Sequence, residues 1–91
     1  HSTRDIAVFA PTEVTSDEVY EAIKTKTTDL LVKHTLFDVF TKKFPDGTSK
    51  TSYAFRLVFQ SDDRTLDGEE INKIMADITL LLNSKSSWQV R

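Results

Sequence analysis

Residues 52–60, SYAFRLVFQ, alternate strictly: Tyr53, Phe55, Leu57 and Phe59 fall on one side, and Ser52, Ala54, Arg56, Val58 and Gln60 on the other. A period of two marks a strand with one apolar face. RDIAVFA (4–10) repeats the pattern, with Ile6 and Val8 opposing Asp5, Ala7 and Phe9 before Pro11 ends the run. LLVKHTLFDVF (30–40) is read as a connection running into a strand, with Leu36, Asp38 and Phe40 on one side and Phe37 and Val39 on the other. SWQVR (87–91) gives a short last strand. Two other segments change period. TSDEVYEAIKTK (15–26) carries Val19, Tyr20 and Ile23 at helical spacing, with Thr15 or Ser16 as N-cap and Asp17 and Glu18 at the positive end of the dipole. DGEEINKIMADITLLLN (67–83) repeats Ile71, Ile74, Met75, Ile78 and Leu82, and Asp67 and Glu70 have capping-box spacing. TKKFPDGTSKT (41–51) reads as a loop, because Pro45 presets φ and Gly47 accepts a positive φ.

The order is β-α-β-β-α-β. Two right-handed crossovers then give a four-stranded antiparallel sheet with both helices on one face, an α+β ferredoxin-like sandwich. The covered face takes Ile6, Val8, Phe37, Val39, Tyr53, Phe55, Leu57 and Phe59. The bare face takes Ala7, Phe9, Asp38, Phe40, Ser52, Ala54 and Arg56. An aromatic ring and a carboxylate on an uncovered face are the features that need a reason.

The 91 residues suit one domain, 1–91. The opening HSTRD lacks an initiator Met, which reads as a piece of something longer with His1 an appended residue. There is no cysteine, so disulfides, thiolate catalysis and cysteine–zinc sites are excluded. No apolar run approaches the roughly 20 residues of a membrane helix. The net charge of −2 argues against a broad phosphate-gripping surface and leaves room for a local basic patch.

Enzyme chemistry finds little support. His34 is the only internal histidine, and no nucleophile, base and orienting group assemble around it. Asp62, Asp63, Glu69 and Glu70 lack a calcium-loop pattern and read as turn and cap. The two glycines do not make a phosphate loop, and APTEVTS (10–16) offers no anion cradle after the first strand. Arg64 reads as a loop brace toward Asp62, Asp63 or a backbone carbonyl, Thr65 or Asp67 as a cap, and Arg91 as a partner of Asp5 or of nothing.

Four pieces in order carry a resemblance. RDIAV, LFDVF, KTSYAFRLVFQ and DRTLDGEEINKIM, with the terminal Arg91, resemble the ferredoxin-fold anticodon-binding domain at the C-terminus of bacterial phenylalanyl-tRNA synthetase beta subunits. The resemblance implies a parent ligase that charges tRNA with phenylalanine. Its ATP and magnesium sites lie in the alpha chain, and two alpha and two beta chains form a cytoplasmic heterotetramer. It implies no catalytic, cofactor or metal residue in this segment, no membrane and no DNA. The partner of the bare face becomes the anticodon stem-loop of the phenylalanine-specific tRNA.

The family's FDxY motif corresponds to Phe37, Asp38, Val39 and Phe40, with Phe where Tyr is usual, so stacking is kept and a hydroxyl is lost. Its Lys-Ser pair corresponds to KTS (50–52), with Ser52 in place and Lys50 one residue further away. Ala7 and Ala54 are small where RNA approaches. Unpaired bases are read by stacking and edge hydrogen bonds, and a carboxylate suits guanine, the first base of the phenylalanine anticodon. Lys42, Lys43, Lys50 and Arg56 would meet phosphates. A second reading from another class is a fold-alike domain that docks a protein or a small ligand on the same face. Fold alone does not separate the two.

Overall fold

The computed structural model describes residues 1–91. The chain forms β1 (Ser2–Pro11), α1 (Ser16–Lys24), a short 3₁₀ turn (Thr28–Leu30), β2 (Leu31–Lys43), β3 (Ser49–Phe59), α2 (Gly68–Ser84) and β4 (Gln89–Val90). The strands make one antiparallel sheet in the order β2-β3-β1-β4. The ferredoxin-like architecture expected from the alternation of periods is present. No helix is long and apolar enough to cross a membrane.

The two helices begin where their caps say they should. Thr15 is extended, and its Oγ1 accepts the Glu18 N–H at 3.2 Å. Asp67 accepts the Glu70 N–H at 2.7 Å in the same way. Each bond satisfies one of the donors that a helix start leaves unpaired. Val19 and Ile23 of α1, and Ile71, Ile78 and Leu82 of α2, are fully buried. They pack with Ile6, Val8, Tyr53, Phe55, Leu57 and Phe59 of the two central strands. Tyr53 adds a polar tie, its hydroxyl donating to the Val14 carbonyl at 2.6 Å, which fixes the loop that leads into α1.

Strand β2 departs from expectation. Phe37 and Val39, assigned to the core by alternation, are 47% and 50% exposed. There are two physical reasons. First, β2 is the edge strand beyond β3, and the core is built on the central strands, so apolar alternation there does not bring burial. Second, the ladder slips between Leu36 and Asp38: Leu36 lies opposite Phe55, and Asp38 opposite Ala54. Such a bulge inserts one residue and reverses the parity of the rest of the strand. Leu36 therefore shares the side of Phe55, not the side of Asp38 and Phe40. The extra residue, Phe37, turns to the open face, where the Arg56 guanidinium lies 4.8 Å from its ring centroid.

The expected loop over 41–51 is also shorter in fact. The β2–β3 ladder runs on to the Lys43–Ser49 pair, leaving a tight turn at 44–48. The Gly47 N–H donates to the Phe44 carbonyl, and Gly47 has φ +90°. A Cβ there would touch nothing, so the backbone conformation itself is what asks for glycine.

Candidate nucleic-acid interface

Cross-strand register places the expected residues. On the open face Ala7 lies opposite Ala54, and Phe9 opposite Ser52, across β1 and β3. Asp38 lies opposite Ala54, Phe40 opposite Ser52, and Lys42 opposite Lys50, across β2 and β3. Side chains of directly opposed residues stand on the same face of a sheet. Asp38, Phe40, Ala7, Ala54 and Ser52 are thus brought together. Lys43 is not: it pairs with Ser49 and shares the side of Val39 and Thr41.

The aromatics form a connected floor. Phe9 meets Phe40 edge-on at 6.1 Å between centroids, and meets Phe44 edge-on at 5.5 Å. Phe40 is 37% exposed, far more than a core ring. Over this floor lies Arg91, a residue the sequence left with Asp5 or with nothing. Its N–H donates to the Ala7 carbonyl at 2.8 Å, which extends β4 by one residue. Its guanidinium sits 5.0 Å from the centroid of Phe40 and 5.4 Å from that of Phe9. It also donates to the Ser52 hydroxyl at 3.1 Å. Ser52 is only 1% exposed, so Arg91 is the group that speaks for it at the surface. The available signal for Arg91 was parity: Val90 is half-buried, so its neighbour stands out from the other face. Phe44 was missed because it sat in a stretch read as loop.

Asp5 goes to Arg56 instead. The pair is bidentate, at 2.9 and 3.0 Å. The hydrogen bond from Arg56 holds the Asp5 carboxyl below its usual range. Arg56 therefore has its anion within the sheet. Asp38 has no hydrogen-bond or ion-pair partner within the chain, and its carboxylate faces solvent beside Phe40. Arg64 braces α2 through a bidentate pair with Glu70 at 2.6 Å, not through Asp62 or Asp63. His34 stacks flat on Tyr20 at 3.6 Å on the helix side of the sheet. No three His, Asp or Glu side chains converge as a metal site would require.

A four-stranded sheet with one helix-backed face and one open face, floored by aromatics and crossed by an arginine, defines a small ferredoxin-like binding platform. The chain belongs to the ferredoxin-fold anticodon binding domain family, which matches residues 1–91. It is 39% identical over 91 residues to the phenylalanine–tRNA ligase beta subunit of Trichormus variabilis, covering 99% of this chain and 11% of that protein. It is 36% identical over 89 residues to the beta subunits of Streptococcus thermophilus and Syntrophotalea carbinolica, again covering 11% of each. The chain thus spans about a tenth of the length of these relatives.

Proposed function

We propose that this domain holds the anticodon stem-loop of the phenylalanine-specific tRNA, as the C-terminal domain of the beta subunit of a phenylalanine–tRNA ligase. The observation that carries the reading is that register sets an unpaired carboxylate, Asp38, and an exposed ring, Phe40, on one open face, with the guanidinium of Arg91 over the ring. An aromatic ring and a guanidinium plane are the two surfaces on which unstacked bases rest. A carboxylate without an internal partner can accept two adjacent N–H groups from the edge of a guanine, and charged acceptors bind more strongly than neutral ones. The chain's part is to position the anticodon. In this reading the alpha subunit supplies ATP, magnesium and catalysis, and the rest of beta completes a cytoplasmic heterotetramer.

Discrimination at the first anticodon base is the test. Asp38→Asn replaces one acceptor oxygen with a donor and leaves the floor intact. Stem-loops with guanine and with adenine at that position are titrated against the chain and charged by the parent ligase. The native chain prefers guanine, and the variant loses most of that preference while keeping its thermal midpoint. Equal preference in the native chain and the variant overturns the role of Asp38.

A further inference from the structure

The hairpin end of the open face carries a pair of cations that the sheet does not need. Lys42 and Lys50 stand directly opposite one another across β2 and β3, on the side of Phe40 and Ser52. Like charges at directly opposed positions repel. Neither ammonium has a carboxylate partner, because the chain's ion pairs are Asp5–Arg56, Arg64–Glu70 and Lys73–Asp77. The acid in the adjoining turn, Asp46, accepts the Thr48 N–H at 3.0 Å and the Thr48 hydroxyl at 2.7 Å, and the Lys50 charge adds only the smallest of the effects that lower its carboxyl, without an ion pair. Both lysine Nζ atoms instead lie over one ring, Phe44, at 5.3 and 5.9 Å from its centroid. That ring abuts Phe9, and so the platform of Phe40 and Arg91. Two repelling charges gathered on an aromatic pedestal are a local conflict, and such conflicts concentrate at functional positions.

We infer that Lys42, Lys50 and Phe44 form a seat for a single phosphodiester of the anticodon loop, one step along the sheet from the stacking surface. The inference rests on the proposed function and narrows it. Of the four cations that the sequence offers to phosphates, Arg56 is held by Asp5 and Lys43 stands on the other side of the sheet. The remaining two share one ring and one face. An anion between them would relieve the repulsion and be fixed by two charge-assisted hydrogen bonds. A free phosphate ion offers the same chemistry, and the experiment separates the two.

The probe is the anticodon stem-loop, titrated into the chain over a range of salt concentrations, with inorganic phosphate as competitor. In Lys42→Gln/Lys50→Gln the slope of log K against log salt becomes shallower by about 0.7, the share of one single-strand phosphate contact. The preference for guanine at the first position does not change, and the thermal midpoint does not fall, because a repulsion has been removed. Lys42→Arg/Lys50→Arg restores the slope. A purely structural pair, holding Phe44 through its ring contacts, would lower the midpoint and leave the slope alone. If the native chain binds the stem-loop but the glutamine variant keeps the full slope, the seat is wrong and the reading of the face stands. Displacement of the stem-loop from the native chain, but not from the glutamine variant, by millimolar phosphate makes the seat a free-anion site and overturns its assignment to RNA. If the native chain shows no preference for the cognate stem-loop, the reading of the face falls and takes the seat with it.

Discussion

The Arg91 guanidinium, rooted beside β4 at one edge of the sheet, lies 5.0 Å from the ring of Phe40 on β2 at the other edge. On the way it passes over Phe9 of β1 and bonds to Ser52 of β3. One side chain thereby spans all four strands. An exposed cation–π contact contributes about 0.5–1 kcal/mol, so Arg91 organises the surface more than it stabilises the fold.

Arg91→Ala, which loses two such contacts and the bond to Ser52, should therefore lower the stability measured by urea unfolding by about 1–3 kcal/mol. Stem-loop affinity should fall as well. Arg91→Lys should not rescue it, since a lysine brings the charge without the planar guanidinium on which an unstacked base can rest. Isothermal titration of the three chains reads the difference.

Phe40→Ala separates binding from folding in the same way. The ring is half-exposed on an uncovered face, so its removal should cost little stability. Loss of one base stack should weaken stem-loop binding by roughly 1–3 kcal/mol. Phe55→Ala is the contrast: that ring is 2% exposed, and its loss should cost about 3–5 kcal/mol of stability. Chemical denaturation of both variants checks the assignment of faces.

Tyr53→Phe should destabilise the domain by about 1–3 kcal/mol, the usual cost of leaving a half-buried acceptor unpaired. The substitution keeps the ring in the core and removes the donor to the Val14 carbonyl. The loop before α1 should then show faster amide exchange, while stem-loop affinity is unchanged.

Acid should loosen the start of α2. The hydrogen bonds from Arg64 hold the Glu70 carboxyl below its ordinary value. A depressed folded pKa adds stability that is complete above the unfolded glutamate's ~4.3 and is lost as pH falls through the lower folded value. Asp5, Asp46 and Asp63 are lowered by their own hydrogen bonds and act in the same sense. Glu70→Gln should flatten part of the acid limb of a stability–pH curve measured between about pH 2 and 6, and leave its slope near neutral pH unchanged.

The helices and central strands were legible because their apolar periods coincide with burial: Ile6, Val8, Phe55, Leu57, Ile71 and Ile78 all fall where alternation or helical spacing puts them. The edge strand was not. A bulge leaves no mark in the hydrophobic pattern, so a regular reading of TLFDVF sets Leu36 beside Asp38 and turns Phe37 inward. The positions after the slip keep their mutual parity, and for that reason Asp38 and Phe40 could still be placed together and on the open side. The continuation of the ladder through Thr41, Lys42 and Lys43 was hidden because polar residues on a two-sided solvent-exposed edge carry no periodic signal. Arg91 was hidden for a different reason: parity sets it on the open side, but only the length of its side chain carries it across β1 to Ser52 and Phe40.

The uninterrupted pairing of β1 with β3, from Ser2–Phe59 to Pro11–Lys50, has a kinetic corollary. Local opening begins where backbone hydrogen bonds are exposed and irregular, which in this sheet means β2 with its two register breaks. The floor beneath Arg91 is thus assembled from halves of unequal tempo. Phe9 and Ser52 belong to the regular ladder, whereas Asp38 and Phe40 stand on an edge strand just past a register break, the place from which amide exchange should spread first.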